Sequence, residues 1–242
     1  MTVASSSNPS RATPVIAIHG GAGTLSRAHI SAEQERAYHA ALQQVLLAGQ
    51  AVLAQGGTAM EAVCEAVRLL EDCPLFNAGH GAVFTAQATH ELDAAVMDGA
   101  TLAAGAVAGV SRIRNPVQAA RAVMQNGQHV LMVAEGAERM AQEAGLATVE
   151  PSYFSTPARH AQLLAAQALQ AGVVLDHDGA AALAGRAIDE GRKMGTVGAV
   201  ALDAHGHLAA ATSTGGMTNK LPGRLGDSPL IGCGTYADDR TA

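Results

Sequence analysis

Thr196 follows Gly195 and opens the short apolar run Val197-Gly198-Ala199-Val200-Ala201-Leu202, well inside a chain of 242 residues. Were the Gly195–Thr196 peptide bond cut, the new first residue would carry a hydroxyl nucleophile and, on the same Cα, an amine able to serve as its base. Such an amine titrates at about pH 7.7–8.0, so part of it is neutral at physiological pH and can take the hydroxyl proton, directly or through a water. No histidine is needed. The β-branch of threonine leaves few χ1 wells, and Gly195 lets the backbone bend so that its carbonyl can be attacked. On these residues alone an ordinary strand start is the plainer reading, and the residues downstream weigh against it.

From Ala209 to Gly234 the chain reads Ala-Ala-Ala-Thr-Ser-Thr-Gly-Gly-Met-Thr-Asn-Lys-Leu-Pro-Gly-Arg-Leu-Gly-Asp-Ser-Pro-Leu-Ile-Gly-Cys-Gly. This resembles the plant-type asparaginase and isoaspartyl peptidase family, N-terminal nucleophile hydrolases made as precursors that cut themselves before such a threonine. The likeness extends upstream to Ile18-His19-Gly20-Gly21-Ala22-Gly23, to the run from Leu75 to Val83, to that from His90 to Gly99, and to Ala104–Val110. It spans nearly the whole chain, from Val15 to Asp238.

The resemblance implies that Gly195–Thr196 is the self-cleavage junction, with Thr196 the nucleophile and Thr214 a second hydroxyl bonded near it. A hairpin turning at Asp203–His207 would bring Thr214 back beside Thr196. Arg224 and Asp227, with Gly226 between them, match the family's substrate-anchoring pair, and Asn77 would line the same site. The chemistry of the pair suits an amino acid: a guanidinium grips a carboxylate in two parallel hydrogen bonds, and an acid side chain takes an ammonium. As a bare i, i+3 pair in a polar turn they would contribute little. With both α-groups held, the electrophile within reach is the side-chain carbonyl of asparagine or of a β-aspartyl peptide. Ammonia or an amine leaves, an acyl-threonine forms, and water releases aspartate.

The segment from Leu70 to His80 looks like the family loop whose backbone carbonyls cage a sodium ion. By the match, the carbonyls of Leu70, Glu71, Cys73, Phe76, Ala78 and His80 would do so, shaping the site without reacting; no catalytic cofactor is implied. The family's Thr-Gly-Thr-Gly-Glu run, which supplies donors to the developing oxyanion, would follow soon after the point where this sequence stops. A truncated β part with an uncovered apolar face is therefore expected, and the oxyanion donors stay unassigned.

Other chemistries find less support. His19-Gly20-Gly21 suggests the oxyanion turn of α/β-hydrolases, yet no Gly-x-Ser-x-Gly elbow is present. His205-x-His207, with His19, His80, His90 and Asp93, could suggest a transition-metal hydrolase, but there is no His-Glu-x-x-His. Neither a Walker A run nor a complete Gly-x-Gly-x-x-Gly occurs. Two alternatives stay open: a glycosylasparaginase-like amidase, and an inactive, unprocessed remnant of the fold.

The elements that position these residues follow from pattern. Val15–His19 reads as a buried strand ending in a glycine turn. Ser31 with Gln34, and Thr58 with Glu61, form capping boxes for a helix stopping at Gly56-Gly57 and another running to Asp72. Strand-like runs follow at Leu92–Met97 and Ala103–Val110, a helix from Asn115-Pro116 through Met124, a strand at His129–Val133, a helix at Glu135–Glu143, and another from Thr156-Pro157 to about Ala171. Residues 174–194 read as a mobile linker before the junction. Pattern gives a layered α+β class, with strands in two groups. The resemblance adds an αββα sandwich, cut into an α part of residues 15–195 behind a polar tail of residues 1–14 and a β part from 196, and assembled as a dimer of αβ heterodimers.

Composition agrees. With 48% hydrophobic and 15% charged residues the chain can bury a sizeable core, and 27 glycines with 2% aromatics point to close packing of small side chains. A formal net charge of −6, without a basic stripe, gives no reason to bind nucleic acid. No apolar run reaches the length of a membrane span, no signal-peptide pattern opens the chain, and Cys64, Cys73 and Cys233 show no metal spacing, so a reducing cytoplasm is expected.

Overall fold

The computed structural model of the protein describes residues 12–21, 31–168 and 195–241. The expected linker at 174–194 lies outside the described residues. Among the described residues, twelve elements run in the order β1 Val15–His19, α1 Ala32–Ala54, α2 Ala59–Asp72, β2 Leu92–Asp98, β3 Ala104–Val110, α3 Pro116–Asn126, β4 Leu131–Val133, α4 Ala134–Glu143, a 3-10 turn Pro151–Phe154, α5 Pro157–Ala168, β5 Val197–Leu202 and β6 Leu208–Thr214.

Both capping boxes form. Ser31 Oγ accepts the Gln34 N–H at 3.1 Å while Gln34 returns a carbonyl to the Ser31 N–H at 3.1 Å. Thr58 and Glu61 repeat the exchange at 3.2 and 2.9 Å. Each box satisfies two of the four amides a helix start leaves open. Helix α1 ends at Ala54, short of Gly56, because residues 55–57 close a turn in which Gly56 takes φ 84°. Strand β4 holds only Leu131–Val133 of the expected His129–Val133.

All described strands form one six-stranded sheet in the order β1-β5-β6-β2-β3-β4, so the two sequence groups do not make separate layers. Pairing is antiparallel throughout, except for the parallel β3–β4 pair. The late hairpin β5–β6 is inserted between β1 and β2, strands far earlier in the chain. A mixed α+β architecture is thus established, with helices layered on one face of the sheet.

That face is the core. Ile16, Val96, Val107, Val197, Ala199, Ala209 and Ala211 point toward Val63, Val67 and Leu70 of α2 and Val117, Ala120 and Val123 of α3. Small residues bring the layers close: a Cβ on Gly105 would run into the Ala120 carbonyl and the Met124 amide of α3, so this strand position admits no side chain. The opposite face is partly roofed by the segment after β6, where Met97, Ala210 and Ala237 form a small second cluster. Over β1 and β5 no described element covers it, and Val15 is 58% and Val200 52% exposed. Among the described residues, no helix is long and apolar enough to cross a membrane.

Candidate active site

Strand alternation sorts the β6 side chains between the two faces. Ala209 and Ala211 join the helix-facing core, and Ser213 reaches the Glu71 carboxylate at the end of α2. Thr212 and Thr214 therefore face the other way. In the β5–β6 register Val197 pairs with Ser213, and continuing it by one residue sets Thr214 opposite Thr196. The sequence-expected hairpin is the device that joins two threonines 18 positions apart (214 minus 196).

Thr196 is half-buried, behind a buried Gly195. Its Oγ1 lies 2.9 Å from Ser228 Oγ in a hydrogen bond. Ser228 is held for this contact by its own carbonyl, which accepts from Thr212 Oγ1 at 2.9 Å and faces Thr235 Oγ1 at 3.1 Å, the two threonine hydroxyls being 2.6 Å apart. Nothing in the sequence singles out Ser228 beyond its place directly after Asp227; the contact closes 32 residues that only the fold brings together. Thr214 Oγ1 accepts the Gly216 N–H at 2.9 Å, which leaves its own proton available to a neighbour.

Asn77 sits beneath that turn. Its Nδ2 donates to the Gly216 carbonyl at 2.8 Å, its carbonyl accepts the Gly215 N–H at 3.1 Å, and its Oδ1 accepts the Val83 N–H at 2.9 Å. A Cβ on Gly215 would stand 2.6 Å from Asn77 Oδ1. The side chain is fully buried, so it braces the backbone behind Thr214.

Arg224, Gly226 and Asp227 lie on the loop that ends at Ser228. Arg224 and Asp227 are exposed, and neither side chain makes a hydrogen bond or ion pair with another described residue. The missing side chain of Gly226 leaves room for the guanidinium, since a Cβ there would meet Arg224 Nη1 at 3.1 Å. A cation and an anion three residues apart that do not neutralise each other are available to a zwitterion.

On the core side, Glu71 is wholly buried. Its Oε1 accepts the Ser213 hydroxyl at 2.7 Å and the Val117 N–H, at the start of α3, at 2.9 Å, while Oε2 has no hydrogen-bond partner among the described residues. Burial pushes its pKa up to about 8 against the pull of those donors. Glu71 thus ties α2, α3 and β6 together one residue from Thr214.

In the loop that follows, the six carbonyls expected to hold sodium fall into two groups. Its Leu70, Cys73 and Glu71 carbonyls accept the N–H groups of Cys73, Phe76 and His80, whereas among the described residues no backbone N–H donates to Phe76, Ala78 or His80 oxygens. Gly81, at φ 109°, would place a Cβ 2.6 Å from the Pro74 carbonyl and 2.8 Å from that of Phe76, so this loop position admits no side chain. Neutral carbonyl oxygens are a ligand type that suits a hard cation. Among the described residues no cluster of His, Cys, Asp and Glu could hold a metal, and His205 and His207 stand at the exposed hairpin turn.

A threonine poised at the head of a strand, with helices on one sheet face and its hydroxyl on the other, fits the class of N-terminal nucleophile hydrolases. The family model described as Asparaginase matches residues 12–242. The chain is 63% identical over 226 residues to the isoaspartyl peptidase of Salmonella typhimurium, covering 93% of this chain and 70% of that one. It is 61% identical over 225 residues to the isoaspartyl peptidase of Escherichia coli, with 93% and 68% covered. The isoaspartyl peptidase/L-asparaginase of Danio rerio is 43% identical over 227 residues, with 94% and 67% covered. This chain belongs to the plant-type asparaginase and isoaspartyl peptidase family.

Proposed function

We infer that this protein is an amidohydrolase that releases L-aspartate from L-asparagine and from β-aspartyl peptides, using Thr196 after self-cleavage at Gly195–Thr196. The relatives' names support the substrate class. The observation that carries the assignment to Thr196 is its hydroxyl, held 2.9 Å from Ser228 on the sheet face opposite the helices, next in sequence to an Asp227 whose side chain has no hydrogen-bond or ion-pair partner among the described residues.

In the intact chain the Thr196 hydroxyl attacks the Gly195 carbonyl; the Gly195–Thr196 C–N bond then breaks, the nitrogen takes up the hydroxyl proton to become the Thr196 amine, and Gly195 is left as an ester on the Thr196 oxygen. The resulting ester hydrolyses, leaving an α part that ends at Gly195 and a β part that begins with Thr196. Arg224 then takes the substrate α-carboxylate and Asp227 its α-ammonium. The free α-amine of Thr196 accepts the hydroxyl proton as the oxygen attacks the β-carbonyl, and returns it to the leaving amine. Water, activated by the same amine, frees aspartate. Once the junction is cut Thr214 donates to the nucleophile, a bond not made in the uncut chain, where the Thr196 hydroxyl pairs with Ser228; Asn77 keeps the Gly215–Gly216 backbone in place.

The loop from Leu70 to His80 holds a sodium ion in this reading, through the six carbonyls named above, and the ion stiffens the loop that carries Asn77. The open face over β1 and β5 is covered by a second sheet, completing an αββα sandwich, and two αβ units pair. Free thiols at Cys64, Cys73 and Cys233 support a reducing, cytoplasmic setting.

Intact mass and aspartate release test the core of this reading. The wild-type protein is expected to split into two pieces, one beginning at Thr196, and to release aspartate from a β-aspartyl dipeptide. Thr196→Ala is expected to stay whole and to do neither. Hydrolysis at wild-type rate by an uncut chain would refute it.

A further inference from the structure

The loop that carries Arg224 is gripped by a carboxylate that no motif singles out. Glu91, the residue before β2, turns both of its oxygens onto the Gly223 N–H, at 3.0 and 2.9 Å. Gly223 takes φ 82°, and the chain reverses there, the Leu221 carbonyl accepting the Arg224 N–H at 3.0 Å. Behind Glu91 stands Lys220. Its side chain is fully buried; Nζ donates to the Glu91 carbonyl at 2.9 Å and lies 3.8 Å from Oε2. Lys220 is pinned in turn through its own backbone, whose carbonyl accepts the Ala86 N–H at 2.8 Å and whose N–H donates to Met217 at 3.2 Å.

A buried ammonium is costly to leave unpaired, so Lys220 needs the negative charge that Glu91 and the nearby Asp93 supply. Glu91 is thereby anchored from the rear and reaches forward to one backbone amide, the one next to Arg224. The Arg224 side chain has no protein partner of its own among the described residues. Its reach toward a substrate carboxylate is set by where the loop backbone stands. Two-point recognition tolerates little displacement of that backbone.

We propose that Glu91 is a positioning residue for substrate recognition, clamping the Gly223 amide against Lys220 so that Arg224 presents its guanidinium at the substrate α-carboxylate. The proposal rests on the reading of Arg224 as the carboxylate anchor. Asp93, which faces Lys220 from β2, supplies charge, whereas the clamp itself is the Glu91–Gly223 bond.

The test is steady-state kinetics of β-aspartyl dipeptide hydrolysis by purified, self-cleaved protein. Glu91→Ala is expected to raise KM about tenfold with kcat changed less than about twofold, the signature of weakened binding alone. Glu91→Gln keeps an oxygen to accept the Gly223 N–H and is expected to recover most of the loss. Arg224→Ala is expected to raise KM further, and Glu91→Ala to add less than about twofold in that background, because both act on one contact. A wild-type KM in Glu91→Ala while Arg224→Ala is impaired overturns the clamp and leaves the anchor standing. An unchanged KM in Arg224→Ala overturns the anchor reading itself. Full additivity, a fall in kcat at unchanged KM, or Glu91→Gln as impaired as Glu91→Ala would each overturn the clamp. Should Glu91→Ala fail to fold, the order of Glu91→Gln and the shorter Glu91→Asp decides: Gln near wild type with Asp impaired supports the clamp, and the reverse order overturns it.

Discussion

His90 is a buried imidazole whose protonation the fold resists, and replacing it should change how stability depends on pH. It is 3% exposed, its ring centroid is 4.1 Å from that of Phe84, Nδ1 lies 3.1 Å from the Val83 carbonyl and Nε2 lies 3.0 Å from Ser155 Oγ. Burial pushes its pKa from the ordinary 6.5 down to about 4; the Lys220 ammonium acts in the same direction and the Val83 carbonyl opposes them. Because the folded pKa lies below the unfolded one, the neutral ring contributes its full stability above pH 6.5. That contribution falls as the pH drops through the window and is exhausted below about pH 4. At about 1.4 kcal/mol per pH unit, the gap between 6.5 and about 4 is worth about 3 kcal/mol.

Glu71, held near pH 8 by burial, works in the opposite sense, since its neutral form favours the folded state as the pH falls. The quantity to measure is therefore a difference. Urea unfolding of Thr196→Ala, which keeps one covalent chain, is compared from pH 7.5 to 4.5 with the same protein carrying His90→Asn, whose amide still donates and accepts but does not titrate. The parent should lose about 2–3 kcal/mol relative to the double variant across that range. Parallel curves would refute the reasoning.

Gly105→Ala should destabilise by about 3 kcal/mol, because the new methyl has only the α3 backbone at Ala120 and Met124 to displace; equal urea midpoints for the variant and the parent would contradict this. Ser228→Ala removes the one side chain that hydrogen-bonds the Thr196 hydroxyl among the described residues. It should slow the appearance of the Thr196-headed fragment about tenfold, or about 1.4 kcal/mol of barrier, on a gel time course; cleavage at the parent rate would rule that role out.

Local rules made much of the scaffold readable. Ser31 and Thr58 announce helix starts because the capping box needs only residues three apart, and the strand at Val15–His19 shows as an apolar run closed by glycine. The hairpin that returns Thr214 to Thr196 is visible for the same reason, as its turn at Asp203–His207 is local. What stays hidden is whatever depends on the sheet order. The two strand groups give no sign that β5 and β6 enter between β1 and β2. Ser228, Glu91 and Lys220 acquire their roles across 32, 132 and 129 residues, respectively. Glu71 illustrates the limit from the other side: it reads as one more acid on an amphipathic helix, and only the arrival of Ser213 and Val117 makes it a buried junction.

The strand order has a consequence for what a cut between residues 195 and 196 can release. In the sheet the hairpin β5–β6 is hydrogen-bonded to β1 on one side and to β2 on the other. Severing the backbone there frees an end but no fragment, because the later piece is dovetailed between two strands of the earlier one. The cleaved protein would still be held by those strand pairings, yet once unravelled it would face a bimolecular search in which the hairpin must find its slot between two strands of another polypeptide. If the chain matures at Thr196 as proposed, its two pieces would depend on never opening, since neither could regain the other within one polypeptide.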